Sequence, residues 1–344
     1  MGIENASCSV FPASPIDAHQ CFLCRARLTS ENRTAEHVIP KWLQEQFKLW
    51  NEEIWLTNKT SLPYRQATIP CCKDCNSGPL SRLESDVKAA FDGGVAAVRS
   101  LPEERVFQWC SKLFYGLFVC ENRLNAMRSD PSVGPIVKNE VLEEMGTLHC
   151  FMQSIRKPFV FDGFRPFSLF VLETLTYDNP TANFDYYDAL LLNSPSGFRA
   201  SFCIAIRAGR AGIICVLQDN GAQKEHMQCE VDKFENIPLH PCQFIELASL
   251  SICKASLLSY VPKYVSIEEP DRIVVRWMVP PVEYLWHDWE NETFDKLFSL
   301  FLGRIKADIG QIYTPKGRIS FLFDGSRPIR YDRDGNRLDS ENTA

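Results

Sequence analysis

The chain has 344 residues, 45% apolar and 23% charged, with a net charge of −6. This is ordinary globular composition with material for two domains, which excludes a disordered chain. The acidic balance excludes coating of nucleic acid through overall charge, but not a local basic groove, because residues 1–90 hold ten Lys/Arg against ten Asp/Glu.

Residues 1–18 show no clear period and are expected to form a loose leader. Met1-Gly2-Ile3-Glu4-Asn5 lacks the basic start and apolar stretch of a signal peptide. No apolar run reaches the ~20 residues needed to span a bilayer. The expected location is therefore the cytoplasm, with no membrane partner. Cys21-Phe22-Leu23-Cys24 reads as a tight knuckle presenting two thiolates. Ala35–Ile39 reads as a short extended segment stopped by Pro40, and Lys41–Phe47 as a short helix with Pro40 at its first turn. Residues 49–66, with Trp50, Ile54, Trp55 and Tyr64, look like an insertion. Cys72-Lys73-Asp74-Cys75 is a second knuckle. A helix from about Leu80 to Phe91 follows, with Leu80, Leu83, Val87 and Phe91 on one face, and Gly93-Gly94 closes the first unit.

Downstream, Glu103–Asn125 is a strong amphipathic helix pattern, and Lys138–Arg156 reads as another. Strands are expected at Phe167–Leu175, Tyr187–Leu192, Phe198–Arg207 and Gly212–Gln218. The turns at 193–197 and 208–211 make antiparallel hairpins of them. Helices at Pro241–Tyr260 and Glu292–Ile309 and strands at Arg272–Val279 and Ile319–Phe323 complete the pattern. The fold class read from this order is α+β: a leader at 1–18, a zinc domain at 19–94, and a larger α+β domain at 95–344 whose role as sensor, target-recognition or dimerisation domain is open.

The fourteen cysteines are not a disulfide framework in a reducing compartment. Two Cys-x-x-Cys pairs, Cys21/Cys24 and Cys72/Cys75, supply the four-sulfur shell that zinc prefers. The 47-residue gap between them leaves room for an inserted functional hairpin. Cys71 competes with Cys72 for the site, and the two-residue spacing favours Cys72. Such a closed shell makes the zinc structural. The remaining cysteines are mostly in apolar contexts and read as core residues.

Glu36-His37-Val38-Ile39-Pro40, together with Cys72-Lys73-Asp74-Cys75-Asn76, resembles the HNH endonucleases of the zinc-bound type. Asn76-Ser77-Gly78 and Leu80-Ser81-Arg82-Leu83-Glu84 also resemble the ending common in one bacterial branch of that family. The resemblance covers about residues 19–86. It implies a ββα-metal, treble-clef-like fold and hydrolysis of phosphodiester bonds, in double-stranded DNA before RNA. It also implies His37 as general base, and Glu36 and Asn76 as ligands of a catalytic Mg²⁺ or Mn²⁺. The family's central Asn, which holds the strand of the base histidine, corresponds to Ala67, with Asn58 or Gln66 as substitutes. Lys41, Lys48, Lys59, Arg65, Lys73 and Arg82 are candidate phosphate contacts, and Trp42, Trp50, Trp55 and Tyr64 candidate base-stacking groups, Trp42 being the one more at home in a small core.

A bacterial HNH protein with an added domain is compatible, by analogy, with defence against foreign DNA, and residues 95–344 with homo-oligomerisation or a regulatory partner. The competing reading is a zinc-finger module that binds nucleic acid or protein and has lost the chemistry, for which Ala67 speaks. Asp332–Asn336 lacks the spacing of a calcium loop and reads as a hairpin turn. His287, between Trp286 and Asp288, reads as a packing site, and His149, His226 and His240 show no ligand spacing.

Overall fold

The computed structural model describes residues 8–9, 19–191, 201–258, 263–278, 286–305 and 320–338. It is a mixed α+β protein with largely antiparallel sheets and a cysteine cluster near the N-terminus. Two compact units interleave in sequence: residues 1–89, 101–166 and 261–283 form the first, and 90–100, 167–260 and 284–344 the second. The first unit thus takes in segments well beyond the domain read at 19–94. Of the expected leader, only Cys8–Ser9 is described. It is a strand pairing with Tyr264–Glu268 in a four-stranded sheet completed by Ile273–Trp277 and Phe159–Phe161.

The site-bearing part of the first unit is a long-range hairpin. Strand β1 (Arg33–His37) pairs antiparallel with β2 (Thr68–Cys72), placing Arg33 opposite Cys72, Glu36 opposite Ile69 and His37 opposite Thr68. Pro40 starts the short helix α1 (Lys41–Gln46), as its fixed φ favours. The insertion expected at 49–66 folds as a small hairpin, Glu53–Trp55 with Ser61–Pro63, and a 3₁₀ turn at Tyr64–Gln66.

After the second knuckle the chain makes a wide π turn, Asn76–Leu80, around Pro79. A proline has no N–H to give a regular turn, and the wide turn absorbs the defect before α2 (Ser81–Asp92). Helix α3 (Glu103–Asn122) is buried over nearly its whole length. It approaches the hairpin at Gly116, where a Cβ would lie 3.1 Å from Ile69 Cδ1. The helix expected at Lys138–Arg156 is broken into Asn139–Glu144, Gly146–Met152 and a 3₁₀ turn, the interruption falling at Met145, directly before the helix-weakening Gly146.

In the second unit, β3 (Ser168–Glu173), β4 (Phe184–Leu191), β5 (Ser201–Ala208) and β6 (Ala211–Val216) form an antiparallel sheet in the order β3-β6-β5-β4. Helix α4 (Pro241–Leu257) packs on it through Phe244, Ile245, Ala248 and Ile252. Contact is closest at Gly212, where a Cβ would meet the Phe244 ring at 2.6 Å. A helix at Ala222–Val231 was not foreseen; its apolar pattern is weak. The helix expected at Glu292–Ile309 runs from Asn291 to Leu302. The turn at 193–197, the start of the strand expected at Phe198, and Ile319 lie outside the described residues.

Asp185 on β4 and Arg207 on β5 face each other in register, paired at 2.6 Å with side chains 1% and 0% exposed. Truncating one partner of a buried pair leaves the other charge uncompensated. Asp185→Ala is therefore expected to cost about 3–5 kcal/mol in denaturant unfolding; a change below 1 kcal/mol would show that water reaches Arg207.

Candidate metal centre and active site

The first knuckle is fixed from three sides. Phe22 N–H donates to Pro70 O at 2.9 Å, tying it to β2. His149 Nε2 lies 3.1 Å from Phe22 O and 3.0 Å from Leu23 O, and Gln153 Nε2 donates to Leu23 O at 2.7 Å. His149 must donate to these carbonyls; burial, then the Arg25 charge, pushes its pKa down to about 4, which keeps the ring neutral. The second knuckle is a helix start: Cys72 caps it, its Sγ accepting from Cys75 N–H at 3.4 Å.

These supports bring the sulfurs of Cys21, Cys24, Cys72 and Cys75 within 4.8 Å of one another, with Cys24 and Cys72 3.6 Å apart. A zinc tetrathiolate with bonds of about 2.3 Å needs sulfur separations near ~3.8 Å, so the four donors fit such an ion. The structure thus brings together the four cysteines expected from spacing. Cys71 is a buried fifth thiol, 3.9 Å from Cys21 Sγ but outside the four-sulfur group. Sulfur hydrogen bonding with Cys71 and then Cys75 lowers the Cys21 thiol far below its usual range, while hydrogen bonding with Cys21, then burial, raises Cys71. Among the described residues this is the only cluster of three or more His, Cys, Asp or Glu donors close enough to share an ion.

Next to this centre lie Glu36, His37 and Asn76. Asn76 Nδ2 donates to Thr34 Oγ1 at 3.0 Å. Thr34 and Glu36 are two apart on β1 and share a face, so Asn76 and Glu36 address the same side of the strand. One residue on, His37 turns toward Trp50, with ring centroids 6.0 Å apart, and its Nδ1 is buried without a hydrogen-bond partner. Burial, then the Lys41 charge, lowers the His37 pKa below its ordinary value, Glu36 opposes this, and Lys112 adds to it.

Lys112 and Glu84 also belong to this site. Lys112 Nζ, on α3, lies 2.8 Å from Glu36 Oε1 and 3.2 Å from Glu84 Oε1, and donates to the carbonyls of His37 at 2.8 Å and Val38 at 3.1 Å. Its side chain is 0% exposed. Burial alone would depress this ammonium, but the Glu36 and Glu84 carboxylates outweigh it and raise its pKa. Trp42 Nε1 donates to Glu84 Oε2 at 2.9 Å. The sequence did carry a signal for Lys112: it is the single cation within the apolar run from Val106 to Cys120.

For a catalytic divalent ion the test is what remains on the donors. Lys112 holds one oxygen of Glu36, whose side chain keeps 13% exposure, and Asn76 engages Thr34 through its nitrogen. Glu36 Oε2 and Asn76 Oδ1 are the oxygen atoms that these contacts do not engage. At the position of the expected central Asn, Ala67 is buried and offers its carbonyl to Val38 N–H at 2.9 Å. Asn58 does not replace that Asn: it binds Ala126 O and Thr60. Of the aromatic groups, Trp50 and Trp55 are half exposed, whereas Tyr64 is buried and Trp42 stacks on Trp109, which removes both from base stacking. Arg65 is tied to Trp50 O and Asn51.

No family model, curated protein or solved structure matches the chain. Fold and site together define a mixed α+β protein whose four clustered cysteines can hold a metal ion such as zinc. No helix among the described residues is long and apolar enough to cross a membrane.

Proposed function

We propose that the protein is an HNH-type endonuclease that hydrolyses phosphodiester bonds, with DNA as its substrate. The observation that carries this reading is the joining of Glu36-His37 and Cys72-x-x-Cys75-Asn76 in one hairpin over the four sulfurs, through the β1–β2 pairing and the Asn76–Thr34 bond. Zinc on Cys21, Cys24, Cys72 and Cys75 is structural, because a closed four-sulfur shell leaves no position for substrate.

His37 takes the proton of the attacking water. Its lowered pKa keeps the imidazole neutral and able to accept at neutral pH. Glu36 and Asn76 would hold Mg²⁺ or Mn²⁺, which when bound neutralises charge on the phosphate and the leaving oxygen. The exposed ring of Trp50, beside His37, offers a face on which a base can stack. Exposed Lys41, next along the chain from Pro40, adds positive charge near the phosphate.

The test is cleavage of plasmid DNA, single-stranded DNA and RNA with Mg²⁺ or Mn²⁺, wild type beside His37→Ala, zinc content measured in both. Cleavage by the wild type and none by the zinc-loaded variant supports the reading, and the polymer consumed fixes the substrate. Binding of nucleic acid that ignores the added metal, with no cleavage, would instead favour the non-catalytic module, a reading to which the capture of Glu36 by Lys112 lends weight.

A further inference from the structure

We propose that Lys112 is the positioning residue of this centre, holding Glu36 and the His37 end of β1 in working geometry; the inference rests on the nuclease reading of the site. An ammonium has three protons. Here they face Glu36 Oε1, His37 O and Val38 O at 2.8, 2.8 and 3.1 Å, with Glu84 Oε1 at 3.2 Å as a further counter-charge.

Each contact removes a specific freedom. The Glu36 contact fixes one carboxylate oxygen and leaves the other directed elsewhere. The two carbonyl contacts fix successive peptide planes, and with them the direction in which the His37 side chain leaves the backbone. Glu84 is itself held by Trp42, so the anchor reaches from α1 through α2 to α3. Gly116, one turn beyond Lys112, lets α3 come close enough for the ammonium to reach the strand.

Burying a charge in a core helix is costly, and an apolar residue would fill the space without that cost. A lysine here therefore serves the groups it touches. Being fully buried, it cannot touch substrate, so it acts through Glu36 and His37. Ala67, with only a methyl group, has no side-chain donor for this task.

The test compares wild type with Lys112→Met, and with Glu84→Gln, which weakens the ammonium's hold without removing it. Zinc content and melting temperature are measured first, and kinetics are run below the melting range of each variant. Lys112→Met is expected to keep its zinc, to lose about 100-fold in kcat, and to keep KM within about 3-fold, as for a group that orients others. Glu84→Gln is expected to lose less, in the same parameter. Exchange of the Val38 amide, which bonds to Ala67 O, is expected to rise about 10-fold relative to α2 amides in Lys112→Met.

If the wild type cleaves and folded, zinc-loaded Lys112→Met cleaves equally well, the proposal is overturned. If the wild type cuts no substrate, the nuclease reading fails, and the exchange measurement still decides: an unchanged Val38 amide overturns the positioning role. Should Lys112→Met not fold, Glu84→Gln carries the same comparisons, and unchanged kcat and exchange in it count against the proposal.

Discussion

Stripping the metal from the four-cysteine centre is expected to unfold the surrounding structure. Apparent binding free energies for structural zinc are on the order of 10–16 kcal/mol, as large as the whole stability of an ordinary domain. In this protein the ion would join the knuckle Cys21–Cys24 to the helix start Cys72–Cys75, whose sulfurs converge within 4.8 Å and which the Phe22–Pro70 hydrogen bond also ties together. Without it, several thiols are left packed together, three of the four ligands buried. Cys72→Ser should lose the ion while its hydroxyl can still cap the helix start, whereas Cys71→Ser should keep the metal, since Cys71 lies outside the four-sulfur group. Zinc release followed with a chromogenic chelator, alongside thermal unfolding, separates the two. Equal zinc loss in both variants would move the ligand assignment to a site shared by Cys71 and Cys72.

His37→Ala carries the second large effect. A positioned general base contributes about 10²–10⁴-fold, so kcat should fall by that factor while zinc content and folding persist, the ring being only partly buried beside Trp50. The pH profile gives a sharper test with a definite sign. In the proposed mechanism the neutral imidazole is the active form. Burial first, and Lys41 second, lower its pKa from 6.5, so activity should stay full at neutral pH and decline only below the ordinary histidine range. Lys41→Gln removes a charge that opposes protonation, so the acidic limb should move to higher pH. A profile whose acidic limb is unmoved by Lys41→Gln would exclude His37 as the group that titrates.

What the sequence determined by itself is local. The two Cys-x-x-Cys spacings specify knuckles because the ligand geometry closes within four residues, and Pro40 marks a helix start through its own backbone chemistry. The strands around Phe170, Ile204 and Ile214 were legible, to within a few residues, from their apolar runs and flanking turns. What only the tertiary structure decided is long-range. Choosing Cys72 over Cys71 required the convergence of four sulfurs, which spacing favoured but did not fix. The first unit draws in residues 101–166 and 261–283, and no local pattern announces which distant segment will cover a hairpin. Lys112 is 75 residues from the His37 carbonyl it binds, and its solitary charge in an apolar helix says that a partner exists without saying where. The reason is physical: turn chemistry and periodicity act over a few residues of chain. The partner of a buried charge is set by which surfaces the completed core brings together.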